Sequence, residues 1–194
     1  MRKDRLLAFS DGVFAIIITI MVLELKVPQE NTLSVLMALG PKLVSYVLSF
    51  VYVAIYWNNH HHMLEPIRRV NGASLWANMA LLFWLSLVPF ATGWMGETTF
   101  SVIPTAIYGG LLLMSAMSYT ILQQVLISAH PDNRLLHDAV GMDIKGKASL
   151  ALYLAGIAVA FLNPWVSLSL YWVVAVVWLV PDPRIEKALA KMTD

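Results

Sequence analysis

Residues 43–64, 70–96, 98–131 and 148–181 contain no formal charge near neutral pH, counting histidine as neutral. Uncharged runs of this length read as membrane spans, because lipid tolerates apolar side chains and penalises unpaired ions. A further apolar run, Ile16-Ile17-Ile18-Thr19-Ile20-Met21-Val22-Leu23, follows the N-terminal segment. Only 13% of the chain is charged, where a soluble domain holds roughly 25%, so a lipid-embedded fold is expected. The first run is too long for a signal peptide, lacks a small-residue cleavage site and is interrupted by Asp11. With no cysteine, disulfide and thiol chemistry are excluded.

Proline and asparagine divide these runs. The expected spans are about 6–27, 33–60, 71–94, 98–128, 148–162 and 165–180, forming one all-α polytopic membrane domain over 1–194. Asn163-Pro164 splits the last run into two short spans, since proline removes a helix donor. One long helix kinked at Pro164 is the competing reading. With the N-terminus inside, 11 of the 13 lysines and arginines fall on the inner side, among them Arg134, Arg184, Lys187 and Lys191. Only Lys26 and Lys42 fall outside. The positive-inside rule therefore places both termini in the cytoplasm. A net charge of +1, with basic residues scattered near span ends, implies no nucleic-acid partner.

The first span is expected to be more than an anchor. Asp11 is too costly to expose to lipid and must face protein or water. At 100° per residue, Phe9, Gly12, Val13, Ile16, Ile20, Leu23 and Val27 share one broad face, with Thr19 and Glu24 on its shoulders. Asp11 points about 160° away from Phe9. That face suits plain packing against lipid or another helix. It equally suits a hydrophobic constriction around a water-filled pore. Thr19 could add a ring of hydroxyls or bond within its own helix. Glu24 could concentrate cations at an outer mouth or sit in interfacial water. Asp11 and Arg5 suit either structural ion pairing or gating.

A second cluster, Trp57-Asn58-Asn59-His60-His61-His62, falls on the same side as Asp11, within reach of His60 or His61. Consecutive histidines do not converge on a metal as i,i+4 ligands do. No nucleophile–base array suggests an enzyme, and no cofactor is expected.

Arg5-x-x-x-Phe9-Ser10-Asp11 with Gly12-Val13-Phe14-Ala15-Ile16, and Trp57-x-x-His60-His61 at the end of the second span, resemble the transmembrane protein 175 family of potassium channels. The likeness is to its prokaryotic single-repeat branch. Asn78 and Pro89-Phe90-x-Thr92 are similar to family positions, while Leu64 stands where an aromatic residue is expected. The resemblance implies a passive potassium-permeable cation channel of the cell inner membrane or plasma membrane, a homotetramer with the first helix of each subunit around the axis. Carried over, Ile16 is the constriction, and Thr19, Ile20 and Leu23 line further levels. Arg5, Phe9, Ser10, Asp11, Trp57 and His60 form the supporting network, and Glu24 lies at the pore mouth. Its partners are identical subunits, lipid and permeating potassium ions. A proton-coupled transporter using Asp11 and a histidine, and a non-conducting membrane protein, are the alternatives. No Thr-Val-Gly-Tyr-Gly filter and no arginine-rich voltage sensor occur.

Overall fold

A computed structural model describes residues 2–28, 31–132 and 144–179. Arg134, Arg184, Lys187 and Lys191, which carry part of the charge argument for orientation, lie outside the described residues.

Helices follow from where backbone donors are lost or capped. α1 (Lys3–Leu23) begins with Asp4 in its first turn, where the free amides favour a carboxylate, and Asp4 also pairs with Arg2 at 2.7 Å. α2 (Leu33–Ala38) is capped by Thr32, whose hydroxyl accepts from the Val35 amide. α3 (Gly40–Leu64) starts at a break before Pro41, which sits in its first turn. The 33–60 segment is therefore two helices rather than one. α4 (Gly72–Ser86) is capped by Asn71, whose side-chain oxygen accepts from the Ser74 amide at 2.8 Å. α5 (Val88–Glu97) is offset from α4 at Leu87, because Pro89 has no amide for the Leu85 carbonyl and crowds it. α6 (Val102–Ala129) is the longest helix described.

α7 (Ile144–Ala160) and α8 (Pro164–Leu179) are separated at Asn163, whose side-chain oxygen accepts from the Trp165 amide. They run antiparallel. Ser167 donates to the Gly156 carbonyl at 2.7 Å, and Trp178 Nε1 donates to Ser149 Oγ at 2.8 Å. Pro164 thus marks a turn and not a kink.

Among the described residues the regular structure is all helical, with one isolated backbone bridge between Arg2 and Arg69. Among the described residues three helical stretches are long and apolar enough to cross a membrane: Lys3–Leu23, the α4–α5 pair Gly72–Glu97, and Val102–Ala129. α8 is a shorter apolar helix. α6 lies at the centre, packed against α4, α5, α7 and α8. Its own core residues include Tyr108, Leu112 and Leu122, all fully buried. Tyr171 of α8 is wedged against Gly109 of α6 and Gly156 of α7. Its hydroxyl donates to the Thr105 carbonyl, and its own carbonyl accepts from Tyr52 at 2.6 Å. A Cβ at Gly156 would lie 2.5 Å from Tyr171 Cε1, so this close approach needs a residue without a side chain.

Two residues at the α5–α6 turn, Thr99 and Phe100, have φ of 49° and 59°. Left-handed backbone at a β-branched residue is strained. The Phe100 amide bonds back to Met95 O at 2.9 Å, and its buried ring packs edge-on against Trp165 at 4.8 Å. Those contacts hold the turn.

Candidate functional site

α1 presents one stripe to its own subunit and leaves much of its remaining surface open. Leu6, Ser10, Phe14, Ile17 and Met21 are buried against α3, α4 and α5, at the three- and four-residue spacing of a single helical face. Beyond that stripe, Phe9 is 52% exposed, Ile16 59%, Ile20 43% and Leu23 73%. Among the described residues nothing lies within 4 Å of a Cβ placed on Gly12. Thr19 is also exposed, and its hydroxyl donates to the Ala15 carbonyl at 2.8 Å. That bond leaves the oxygen's lone pairs outward. One flank of α1 is thus a row of large apolar side chains that the other described residues leave uncovered.

The polar residues at the root of α1 divide into two arms. The inner arm is buried. Asn78 of α4 donates through Nδ2 to Ser10 Oγ at 3.1 Å, and its Oδ1 lies 2.6 Å from His60 Nε2. An amide oxygen only accepts, so His60 carries its proton on Nε2. Among the described residues its Nδ1 is buried without a hydrogen-bond partner, and its ring meets Phe14 edge-on at 5.8 Å. The inner arm therefore ties α1, α3 and α4 together in the core.

The outer arm is exposed. Trp57 Nε1 donates to Asp11 Oδ1 at 2.9 Å. Arg5 is exposed, and among the described residues it forms no ion pair with Asp11. Ser10 and Asp11 thus belong to different arms, although they adjoin in sequence. Their side chains point 100° apart, so one reaches the core and the other its rim.

Asn78 is the member that sequence spacing did not place. Its signal was an asparagine in an otherwise apolar helix, which must find polar partners once buried. A second buried set was equally hidden. Ser49 Oγ lies 2.7 Å from Thr92 Oγ1 and 2.9 Å from Tyr108 OH, joining α3, α5 and α6.

At the other end of α1, Glu24 is exposed and borders a small recess shared with Lys42 and Glu97. Lys42 pairs with Glu97 at 3.2 Å. Among the described residues no three histidine, aspartate or glutamate side chains converge as a metal site.

The family model of the endosomal/lysosomal potassium channel TMEM175 matches residues 5–89, the segment that carries both arms and the α1 stripe. A potassium channel of Chryseobacterium sp. (strain P1-3) is 51% identical, covering 97% of this chain and 98% of that one. The mouse endosomal/lysosomal proton channel TMEM175 is 25% identical over 96% of this chain and 39% of its own length. The fold is similar to the crystal structure of a lysosomal potassium-selective channel TMEM175 homolog from Chamaesiphon minutus. The TM-score is 0.76 and the identity 30%, covering 91% of this chain and 95% of that one.

Proposed function

The chain belongs to the TMEM175 family of potassium channels, and from that membership we propose how it conducts. Four copies assemble around an axis, each contributing α1 to one central path. Ile16 forms the narrowest level, Thr19 or Ile20 and then Leu23 line the levels beyond, and Glu24 lies at the mouth. Six spans place both termini in the cytoplasm. Potassium passes down its electrochemical gradient with no cofactor and no coupled ion.

One observation carries this reading: the flank bearing Phe9, Ile16, Ile20 and Leu23 is left uncovered, while the opposite stripe is locked into the subunit. A closed symmetric ring covers the same surface on every copy. Branched side chains on that flank can close a path by narrowing and dewetting, and Thr19 offers a polar contact one turn on. Potassium sheds water more readily than sodium, so a hydrophobic level with hydroxyls beyond it favours potassium without a carbonyl filter. The division of the polar residues supports a channel over a proton-coupled carrier. Among the described residues Asp11 bonds to Trp57 and not to a histidine, while His60 lies on the separate inner arm.

Planar-bilayer recording with potassium and sodium on opposite sides tests this. The reversal potential should follow the potassium gradient, with partial exclusion of sodium. Ile16→Asn should wet its level, raising leak several-fold and lowering the preference for potassium. Unchanged currents in that variant would remove Ile16 from the path. Transport that needs an imposed proton gradient, without unitary currents, would favour the carrier. Sealed vesicles with no flux under any gradient would favour a non-conducting role.

A further inference from the structure

His130 caps the end of α6, and its ring reaches two carbonyl oxygens at once. Nδ1 lies 2.9 Å from Leu126 O, one turn back on α6. Nε2 lies 3.0 Å from Arg69 O, on the connection between α3 and α4. A carbonyl oxygen accepts and cannot donate, so each contact needs a proton on the nitrogen that makes it. Neutral imidazole carries one ring proton and can hold one of the two contacts. Only the imidazolium holds both. Leu126 is among the last residues of α6, whose carbonyls lack amide partners within the helix.

The Arg69 end of this bridge also meets α1. The Lys3 amide donates to Arg68 O at 3.4 Å, and Arg2 and Arg69 form the isolated backbone bridge. Lys3 Nζ donates to the Glu65 carbonyl at 2.6 Å and lies 3.8 Å from its carboxylate. One short connection, residues 65–71, therefore joins the end of α6 to the root of α1. The ring of His130 is the part of this junction whose bonding changes when one ring proton is gained or lost.

We propose that His130 is a proton-sensitive latch, tying the end of α6 to the 65–71 connection and through it to the first turn of α1. Acidification charges the ring and holds both carbonyls. As pH rises the ring keeps one proton. Losing the Nε2 contact releases Arg69, and losing the Nδ1 contact frees the ring to swing away from α6. The charged groups of the surrounding elements act on both sides of this balance. Arg68 and Arg69 on the connection, Arg2 and Lys3 at the start of α1, and Lys145 and Lys147 at the start of α7 oppose a charged ring. Asp132, just beyond His130, favours it. Asp4 and Glu65 also favour it, but they are engaged by Arg2 and Lys3, and Glu65 further by His61 at 3.8 Å. The latch itself stands on the observed contacts, and only its effect on flux rests on the channel reading.

Hydrogen exchange on the full-length protein in lipid nanodiscs, corrected for intrinsic rates, tests it at about pH 5.5 and about pH 8. Peptides covering residues 2–9 and 65–71 should be about fivefold more protected at the lower pH, the effect of one hydrogen bond to a charged group in a half-exposed site. His130→Gln supplies one uncharged donor nitrogen in place of the two spaced ring nitrogens and should give the weakly protected pattern at both pH values. His130→Arg, always charged and with several donors, should give the protected pattern at both. Ring ¹⁵N spectra, assigned by difference from His130→Gln, should show both nitrogens of His130 protonated at the lower pH. The same pH dependence in His130→Gln as in the parent protein would overturn the latch, as would a singly protonated ring at both pH values. Potassium flux from the same samples should carry the same pH dependence. Absent flux in every sample counts against the channel reading alone, since exchange and ring spectra judge the latch without it.

Discussion

Asn78 holds two buried partners with one amide, and its loss should be felt accordingly. Asn78→Ala strands both Ser10 Oγ and His60 Nε2 away from water. At about 1–3 kcal/mol for each of two stranded buried groups, the variant should lose roughly 2–6 kcal/mol. Thermal unfolding in detergent, compared with Trp57→Phe, checks this. The second change removes the exposed bond to Asp11 and should cost about 1 kcal/mol or less. Equal losses would mean that the two arms form one network. The sequence pointed to Ser10, Asp11, Trp57 and His60 as polar groups at one end of the helices, and the structure pairs Trp57 with Asp11. It could not divide them into arms, because that depends on how far α4 is rotated, which only packing fixes. Arg5 shows the same limit: it precedes Asp11 by six residues and does not reach it.

Helix ends written in local chemistry were the most legible elements. Asn163-Pro164 reads as a turn because the missing donor and the asparagine cap act within a few residues. The breaks before Pro41 and at Leu87 were hidden inside uncharged runs, where hydropathy continues unaltered across a change of axis. Adjacent glycines on α6 give a sharper case. Gly109 lies against the Tyr171 hydroxyl and ring, whereas among the described residues nothing lies within 4 Å of a Cβ at Gly110. Gly109→Ala should displace Tyr171 and destabilise by about 1–3 kcal/mol. Gly110→Ala should be neutral or stabilise by up to about 1 kcal/mol through helix propensity. Midpoints of thermal unfolding for the two variants decide it, and the reverse order would place the α6–α8 contact elsewhere. The sequence showed the pair of glycines, but the partner that distinguishes them is more than sixty residues away.

The membrane character of the chain was plain from its uncharged runs, and its all-helical fold followed. The manner of assembly was not, because an apolar helix flank looks the same whether lipid or a second copy covers it. Four copies around an axis are what the family resemblance implies, and that expectation is open to measurement. Mass measurement in nanodiscs should give four copies per particle. A monomer that still carries potassium current would contradict the shared path.

The open flank of α1 has a genetic consequence. In the ring we propose, no subunit owns the conduction path; each supplies one wall. A lesion on that flank would then act in mixed rings, where altered copies sit beside intact ones, and most rings from an equal mixture would include at least one. Changes at Ile16 or Leu23 should be dominant over the intact allele. Changes in the Tyr171 wedge, which remove a subunit before it joins a ring, should be recessive.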